Sequence, residues 1–198
     1  MRLLIPALLT AFVAISAHAE KFKLDPAHTN VQFQVPHLVV SKVKGHFTKF
    51  DGSFDFDEKS MKLDNVMVTI QADSLNTNEA DRDKHLRSPD FFDVTKYPTL
   101  TFKGTKVNYD NNKPHEIEGD LTIHGVTKKV KLEIDYKGAV TDPWNNRRVA
   151  FELEGKVNRK DFGLKWNKAM EAGGFVVGDD VKIEIEGEAI AAAAAPKK

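Results

Sequence analysis

The chain has 198 residues, with 29 Lys and Arg against 29 Asp and Glu, and no cysteine. So even a balance argues against a nucleic-acid partner, which selects a basic face. The absence of cysteine excludes a disulfide-stapled scaffold and a thiol nucleophile, so a chain of this length is expected to rest on one hydrophobic core.

Arg2 is followed by an apolar run from Leu3 to Ile15 and then by Ser16-Ala17-His18-Ala19. A charged start, a short hydrophobic segment and an A-x-A site read as a cleavable signal peptide over residues 1–19. Pro6 and Thr10 interrupt the run, which falls short of the roughly 20 apolar residues of a membrane span. No second run of that kind follows. The mature chain is therefore expected in the periplasm as one soluble domain, residues 20–190, without a membrane-spanning segment. The tail 191–198, AAAAAPKK, is low in complexity and is expected to fray.

Period-two alternation dominates from Lys21 onward. It runs through Val31, Phe33 and Val35, then Val66, Val68, Ile70 and Ala72, then Ile117, Gly119, Leu121 and Ile123. It returns in Val130, Leu132, Ile134 and Tyr136, in Val149, Phe151, Leu153, Gly155 and Val157, and in Val181, Ile183, Ile185, Gly187 and Ala189. Two further segments change phase midway. Val43, Gly45 and Phe47 hold odd positions but Phe50, Gly52, Phe54 and Phe56 even ones, and Leu100 and Phe102 give way to Val107 and Tyr109 across Gly104. A slip of phase inside a strand is what a β-bulge produces. Residues 124–127 read as a hairpin turn; residues 110–114 and 142–146 read as longer connections.

About eight one-sided antiparallel strands with bulges favour a closed β-barrel, because closure buries every apolar face and removes the edges. A two-sheet sandwich is the alternative. Gly119, Gly155 and Gly187 fall in phase with the inward residues, where glycine marks a tight corner or bulge, or a place where another group approaches the backbone, or leaves interior room for a ligand.

The one helical interruption is NEADRDKHLRSPDFFD, Asn78 to Asp93. Asn78 is the expected N-cap, with Glu79 and Asp81 in the first turn, and Ser88-Pro89 opens a further short turn. Asp81 with His85 and Asp83 with Arg87 form i,i+4 pairs, and Leu86, Phe91 and Phe92 form an apolar plug. This predicts a charge-paired helix capping one end of the barrel. The remaining histidines fit no metal-binding spacing, no G-x-S-x-G elbow is present, and nothing calls for a cofactor.

The stretch Asp81-Arg82-Asp83-Lys84-His85-Leu86-Arg87-Ser88-Pro89-Asp90-Phe91-Phe92-Asp93, continuing to Lys96-Tyr97-Pro98, resembles the hallmark of the YceI-like family of exported isoprenoid-binding proteins. Val43 to Phe47 with Phe50-Asp51-Gly52, Gly119 to Lys128, Phe151 to Gly155 and Arg159 to Leu164 match in the same order. The resemblance implies a lipocalin-like barrel of eight antiparallel strands holding a long isoprenoid or similar amphiphile in an apolar interior. It transfers no catalytic residues.

The wall expected to line such a ligand is Phe33, Val35, Phe47, Phe54, Val68, Ile70, Leu121, Ile123, Leu132, Ile134, Phe151, Leu153, Ile183 and Ile185. Each buried methylene contributes roughly 0.8 kcal/mol, so a tail of some tens of carbons gains on the order of 20 kcal/mol before entropy and desolvation costs. For a phosphate or quinone headgroup, Arg82, His85, Arg87, Arg159 and Trp166 are the candidates, with Arg159 and Trp166 preferred if the charged helix closes the opposite end. Two other readings remain: a periplasmic hydrolase or isomerase using Asp81, Asp83 and His85, and a solid barrel that binds a protein on its outer face. No exposed apolar stripe marks a self-association surface, so a two-fold homodimer rests only on the general tendency of soluble proteins.

Overall fold

A computed structural model of the chain describes residues 19–38, 40–170 and 174–192, so the expected signal peptide, Ala19 apart, and the tail beyond Ala192 lie outside the described residues. The strands are β1 (Glu20–Leu24), β2 (Asn30–His37), β3 (Ser41–Phe47), β4 (Phe50–Asp57), β5 (Lys62–Gln71), β6 (Leu75–Asn76), β7 (Thr99–Asp110), β8 (Lys113–Ile123), β9 (Val126–Thr141), β10 (Arg147–Asn158) and β11 (Asp180–Ala191), with helix α1 (Ala80–Arg87) between β6 and β7. All pair antiparallel. The wall runs β1-β4-β5-β7-β8-β9-β10-β11, and β11 returns to β1. β2 continues the line of β1 along β11, β3 lies beside β2, and β6 beside β3. β1 with β2, β3 with β4 and β5 with β6 are thus halves of three bent strands, and the result is the closed eight-stranded barrel that the alternation predicts.

The bends have local causes. Pro26 cannot donate to a ladder, and the Asp25 carboxylate accepts from the Ala27 N–H at 3.1 Å, which turns the chain between β1 and β2. The predicted phase change after Phe47 is the break between β3 and β4. There Ser74 holds the two bent strands together: its carbonyl accepts from the Thr48 N–H at 3.1 Å and its hydroxyl accepts from the Lys49 N–H at 3.1 Å. The predicted slip at Gly104 is a register shift against β8 between Gly104 and Lys106.

Residues 110–114 make a tighter connection than expected. Asn111 and Asn112 both take positive φ, 47° and 62°, so two residues suffice, and Pro114 lies within β8 opposite Tyr109. His124 and Gly125 form a second turn of this kind. Gly125 is required twice over: its φ is 72°, and an added Cβ would lie 2.5 Å from the Tyr97 ring. At the C-terminal end Ala191 pairs with Phe22 and the Ala192 N–H donates to the Lys21 carbonyl at 2.7 Å, so the barrel runs past the expected boundary at residue 190.

The core divides along the barrel axis. Phe22, Phe54, Phe56, Val149 and Ala189 pack at the end that holds the first and last strands, where Phe22 stacks on Phe54 at 5.6 Å and Phe56 meets Tyr136 at 5.3 Å. The larger cluster, including Phe47, Leu75, Leu100, Phe102, Ile117, Leu132 and Phe162, fills the middle and the end under α1. Edge-to-face and offset aromatic pairs of this sort add about 0.5–1.5 kcal/mol each beyond their buried area.

Candidate ligand cavity

The inward-facing side chains enclose a cavity of about 240 Å³. It extends along β10 from Val149 to Val157, eight residues or about 26 Å of strand. The lining residues therefore follow much of the barrel's length, and the cavity is elongated. Its lining is almost wholly hydrocarbon, with Gln32, Ser53 and Arg159 the principal polar side chains.

The structure brings Phe33, Val35, Phe47, Phe54, Val68, Ile70, Leu121, Ile123, Leu132, Ile134, Phe151, Leu153, Ile183 and Ile185 together on this wall. Strand alternation accounts for them, since residues paired across the ladder share a face: Val31 opposite Phe47, Leu153 opposite Ile185 and Ile134. Leu24, Phe56, Tyr136 and Val177 are among the further lining residues outside the wall expected for the ligand. Phe56 and Tyr136 were available to the same alternation, two residues beyond Phe54 and Ile134. Val177 was not, because it follows a loop.

The inward glycines are places where another group approaches the backbone. A Cβ on Gly119 would lie 2.3 Å from Phe102 Cζ, one on Gly155 2.4 Å from Leu132 Cδ2, and one on Gly187 2.9 Å from Thr29 Cγ2 and 3.0 Å from Phe151 Cζ. Neighbouring side chains fold over these glycines and occupy the space. The glycines thin the wall so that bulky residues lie flat against it, which keeps those residues from projecting across the channel.

Arg159 and Trp166, the preferred headgroup candidates, are placed otherwise. Arg159 borders the cavity, but its guanidinium is 4% exposed and donates to the carbonyls of Gly178 (2.8 Å), Leu164, Trp166 (2.9 Å) and Val177 (3.4 Å) and to Asp179 Oδ1 (3.3 Å). These acceptors leave it no fork for a phosphate. Burial lowers its pKa, against the opposing pull of Asp179. Trp166 does not line the cavity; it packs on His85 at 4.8 Å and on Phe91 at 5.2 Å.

The charged helix caps the barrel as expected, and Leu86, Phe91 and Phe92 project into the cavity wall. Its charges answer different partners, however. The N-cap is Glu79, whose carboxylate accepts from the Asp81 and Arg82 N–H groups, while Asn78 takes a positive φ of 61°. Neither predicted i,i+4 pair forms. Asp83, 8% exposed, accepts from the Thr77 N–H at 2.9 Å and the Thr77 hydroxyl at 2.6 Å. Arg82 donates to Thr77 Oγ1 and to its carbonyl, each at 2.8 Å, and Arg87 donates to the carbonyls of Asp73 (2.8 Å) and Leu75. His85 Nε2 lies 2.9 Å from Asp90. A buried carbonyl or N–H without a partner costs more than an exposed ion pair contributes, so tertiary backbone groups win the competition. Asp81 is exposed and has no side-chain hydrogen bond among the described residues, so Asp81, Asp83 and His85 serve three different surroundings.

Among the described residues, Asp25, His28 and Glu188 are the one group with oxygen and nitrogen ligands close enough for a cation. Arg148 already occupies that position, 2.7 Å from Asp25 and 3.0 Å from Glu188.

Comparison with known proteins fits this geometry. The sequence matches the YceI-like domain over residues 22–189. It is 49% identical to Protein YceI of Shigella flexneri over 156 residues, covering 78% of this chain and 81% of that protein. The crystal structure of the Campylobacter jejuni YceI protein superposes with a TM-score of 0.67 at 34% identity, covering 85% of this chain and 96% of that one. A polyisoprenoid-binding domain from Saccharophagus degradans shares the fold, with a TM-score of 0.62 at 14% identity over 88% of this chain and 100% of that one. Matched by the family model over residues 22–189 and by relatives at close to half identity, the chain belongs to the YceI-like family.

Proposed function

We propose that the protein binds the hydrocarbon tail of an isoprenoid or similar amphiphile inside the barrel, acting as carrier or reservoir in the periplasm and catalysing no reaction. The observation that carries this reading is the cavity: elongated and lined by hydrocarbon. Each methylene that leaves water for such a lining contributes roughly 0.8 kcal/mol, so a slender tail gains affinity with few polar contacts. A neighbour of the same fold is described as a polyisoprenoid-binding domain, and the apolar run ahead of Ala19 supports export. The dispersal of Asp81, Asp83 and His85 favours binding over hydrolysis. With Arg159 engaged, a headgroup such as a phosphate or quinone would lie at the channel's end, held by weaker polar contacts.

Mass spectrometry on protein purified natively and extracted under denaturing conditions tests this directly. A stoichiometric isoprenoid or long-chain lipid is the expected result. Protein that emerges empty and takes up no added isoprenoid would overturn it.

A further inference from the structure

Beyond the channel, the end of the barrel bearing the β2–β3 hairpin carries an unusual surface. The described pairing of β2 with β11 ends at Gln34 and that of β3 with β6 covers His46 and Phe47, so Val35 to His37 and Ser41 to Val43 project as a hairpin past the wall. The loop before β11 is fastened to this hairpin: the Leu38 N–H donates to the Val176 carbonyl at 2.9 Å, the Gly178 N–H donates to the Pro36 carbonyl at 2.8 Å, and His37 bridges Val177. Asn167 holds Val177 from the other side, donating to its carbonyl at 2.7 Å. The two segments form one lip.

Apolar side chains stand out from this lip into water. Leu38 is 39% exposed, Val40 87% and Phe175 56%. Val35 and Val177, which line the cavity, lie on the same two segments. Basic side chains accompany it. Residues 36–44 and 159–179 hold six Lys and Arg against three Asp and Glu, in a chain whose totals balance. Lys42, Lys44, Lys165 and Lys168 are exposed and ion-paired with no carboxylate among the described residues, whereas Asp179 is held by Arg159 and Lys160. Lys160 also lies 5.9 Å from the Phe175 ring.

We infer that this lip docks on the surface of an anionic lipid bilayer, with Leu38, Val40 and Phe175 entering the headgroup layer and the lysines resting on its charge. The shape selects a bilayer over a protein partner. A stable protein interface needs about 1,000 Å² or more of closely fitted surface, while these are three exposed apolar side chains on a hairpin and a loop. A few inserted side chains backed by cations are what interfacial lipid binding uses. The inference extends the cargo reading above by placing the channel's wall against the source of its ligand, yet docking is measurable with no cargo present.

The test is co-sedimentation of the full protein with vesicles free of isoprenoid, of phosphatidylcholine alone or of phosphatidylcholine mixed with phosphatidylglycerol. The wild type is expected to pellet with the mixed vesicles and to be released by salt. Lys42→Gln with Lys168→Gln should weaken binding about thirtyfold, from roughly fivefold per surface lysine. Val40→Asn with Phe175→Asn should weaken it about a hundredfold. All four positions are exposed, so both variants are expected to melt with the wild type. Failure of the wild type to bind mixed vesicles, or undiminished binding by the Val40/Phe175 variant, would overturn the inference. So would concentration-dependent dimerisation abolished by Val40→Asn with Phe175→Asn in the absence of vesicle binding, which would assign the lip to a second copy of the chain. Since no vesicle contains isoprenoid, loss of docking and absence of a bound isoprenoid remain separate results.

Discussion

Substitution of Arg159 by Gln separates two roles for this residue, structural clamp and headgroup ligand. Its buried guanidinium joins four backbone carbonyls and Asp179, and these acceptors come from the two ends of the loop between β10 and β11. Glutamine is shorter and offers two donors, so at least two carbonyls lose their partner. Each buried acceptor left unsatisfied costs about 1–3 kcal/mol, reduced where the loop relaxes toward water, for a net loss of about 3 kcal/mol. For a domain of this size that lowers Tm by about 6–12 °C. Arg159→Lys keeps the charge but not the fork and should fall between. Calorimetry at neutral pH measures the shift, and amide hydrogen exchange should show protection lost across residues 164–170 and 174–178. A Tm within about 2 °C of the wild type, with lipid retention lost, would refute the clamp and return Arg159 to the headgroup.

Three other outcomes follow from the same structure. Gly119→Ala places a methyl 2.3 Å from Phe102 and 2.7 Å from the Lys103 carbonyl, so it should destabilise by about 1–3 kcal/mol in urea titration and push Phe102 toward the channel. Leu153→Trp fills the channel; mass spectrometry should find the lipid lost while the protein still melts cooperatively. Stability should depend on pH through Arg148, which with the Asn146 and Trp144 N–H groups holds the Asp142 carboxyl at about 2 and also lowers that of Asp25. Because the folded pKa lies below the unfolded one, this stabilisation is fully present above the ordinary carboxylate range and is lost as pH falls from about 4 to about 2. Urea midpoints measured over that range should fall more steeply for the wild type than for Arg148→Gln.

Much of this was legible residue by residue. Alternation identifies Leu121, Ile123, Leu132 and Ile134 as inward-facing, because in a strand that requires only the period of two, and the same rule takes in Phe56 and Tyr136. The slips at Phe47 and Gly104 were visible as changes of phase. The charges of α1 were not. Spacing along a helix shows which side chains are neighbours, but Thr77, Asp73 and Leu75 reach Asp83 and Arg87 only after the chain has folded back on itself. Glu79 replaces Asn78 as cap for a related reason, since Asn78 is drawn into the left-handed turn that brings the chain out of β6.

By itself the sequence determined the strands, the inward apolar set and the helical interruption, because these follow from local periodicity; it favoured a barrel over a two-sheet sandwich, which would also bury one face of every strand, and the closure of β11 on β1 is tertiary. Tertiary structure decided which space inside remains open. Phe102 and Leu132 folding over Gly119 and Gly155, the ring packing of Phe22, Phe54 and Phe56, and Arg159 binding carbonyls across a loop are contacts between residues far apart in the chain. A channel is the volume such contacts leave unfilled, and no single strand specifies it.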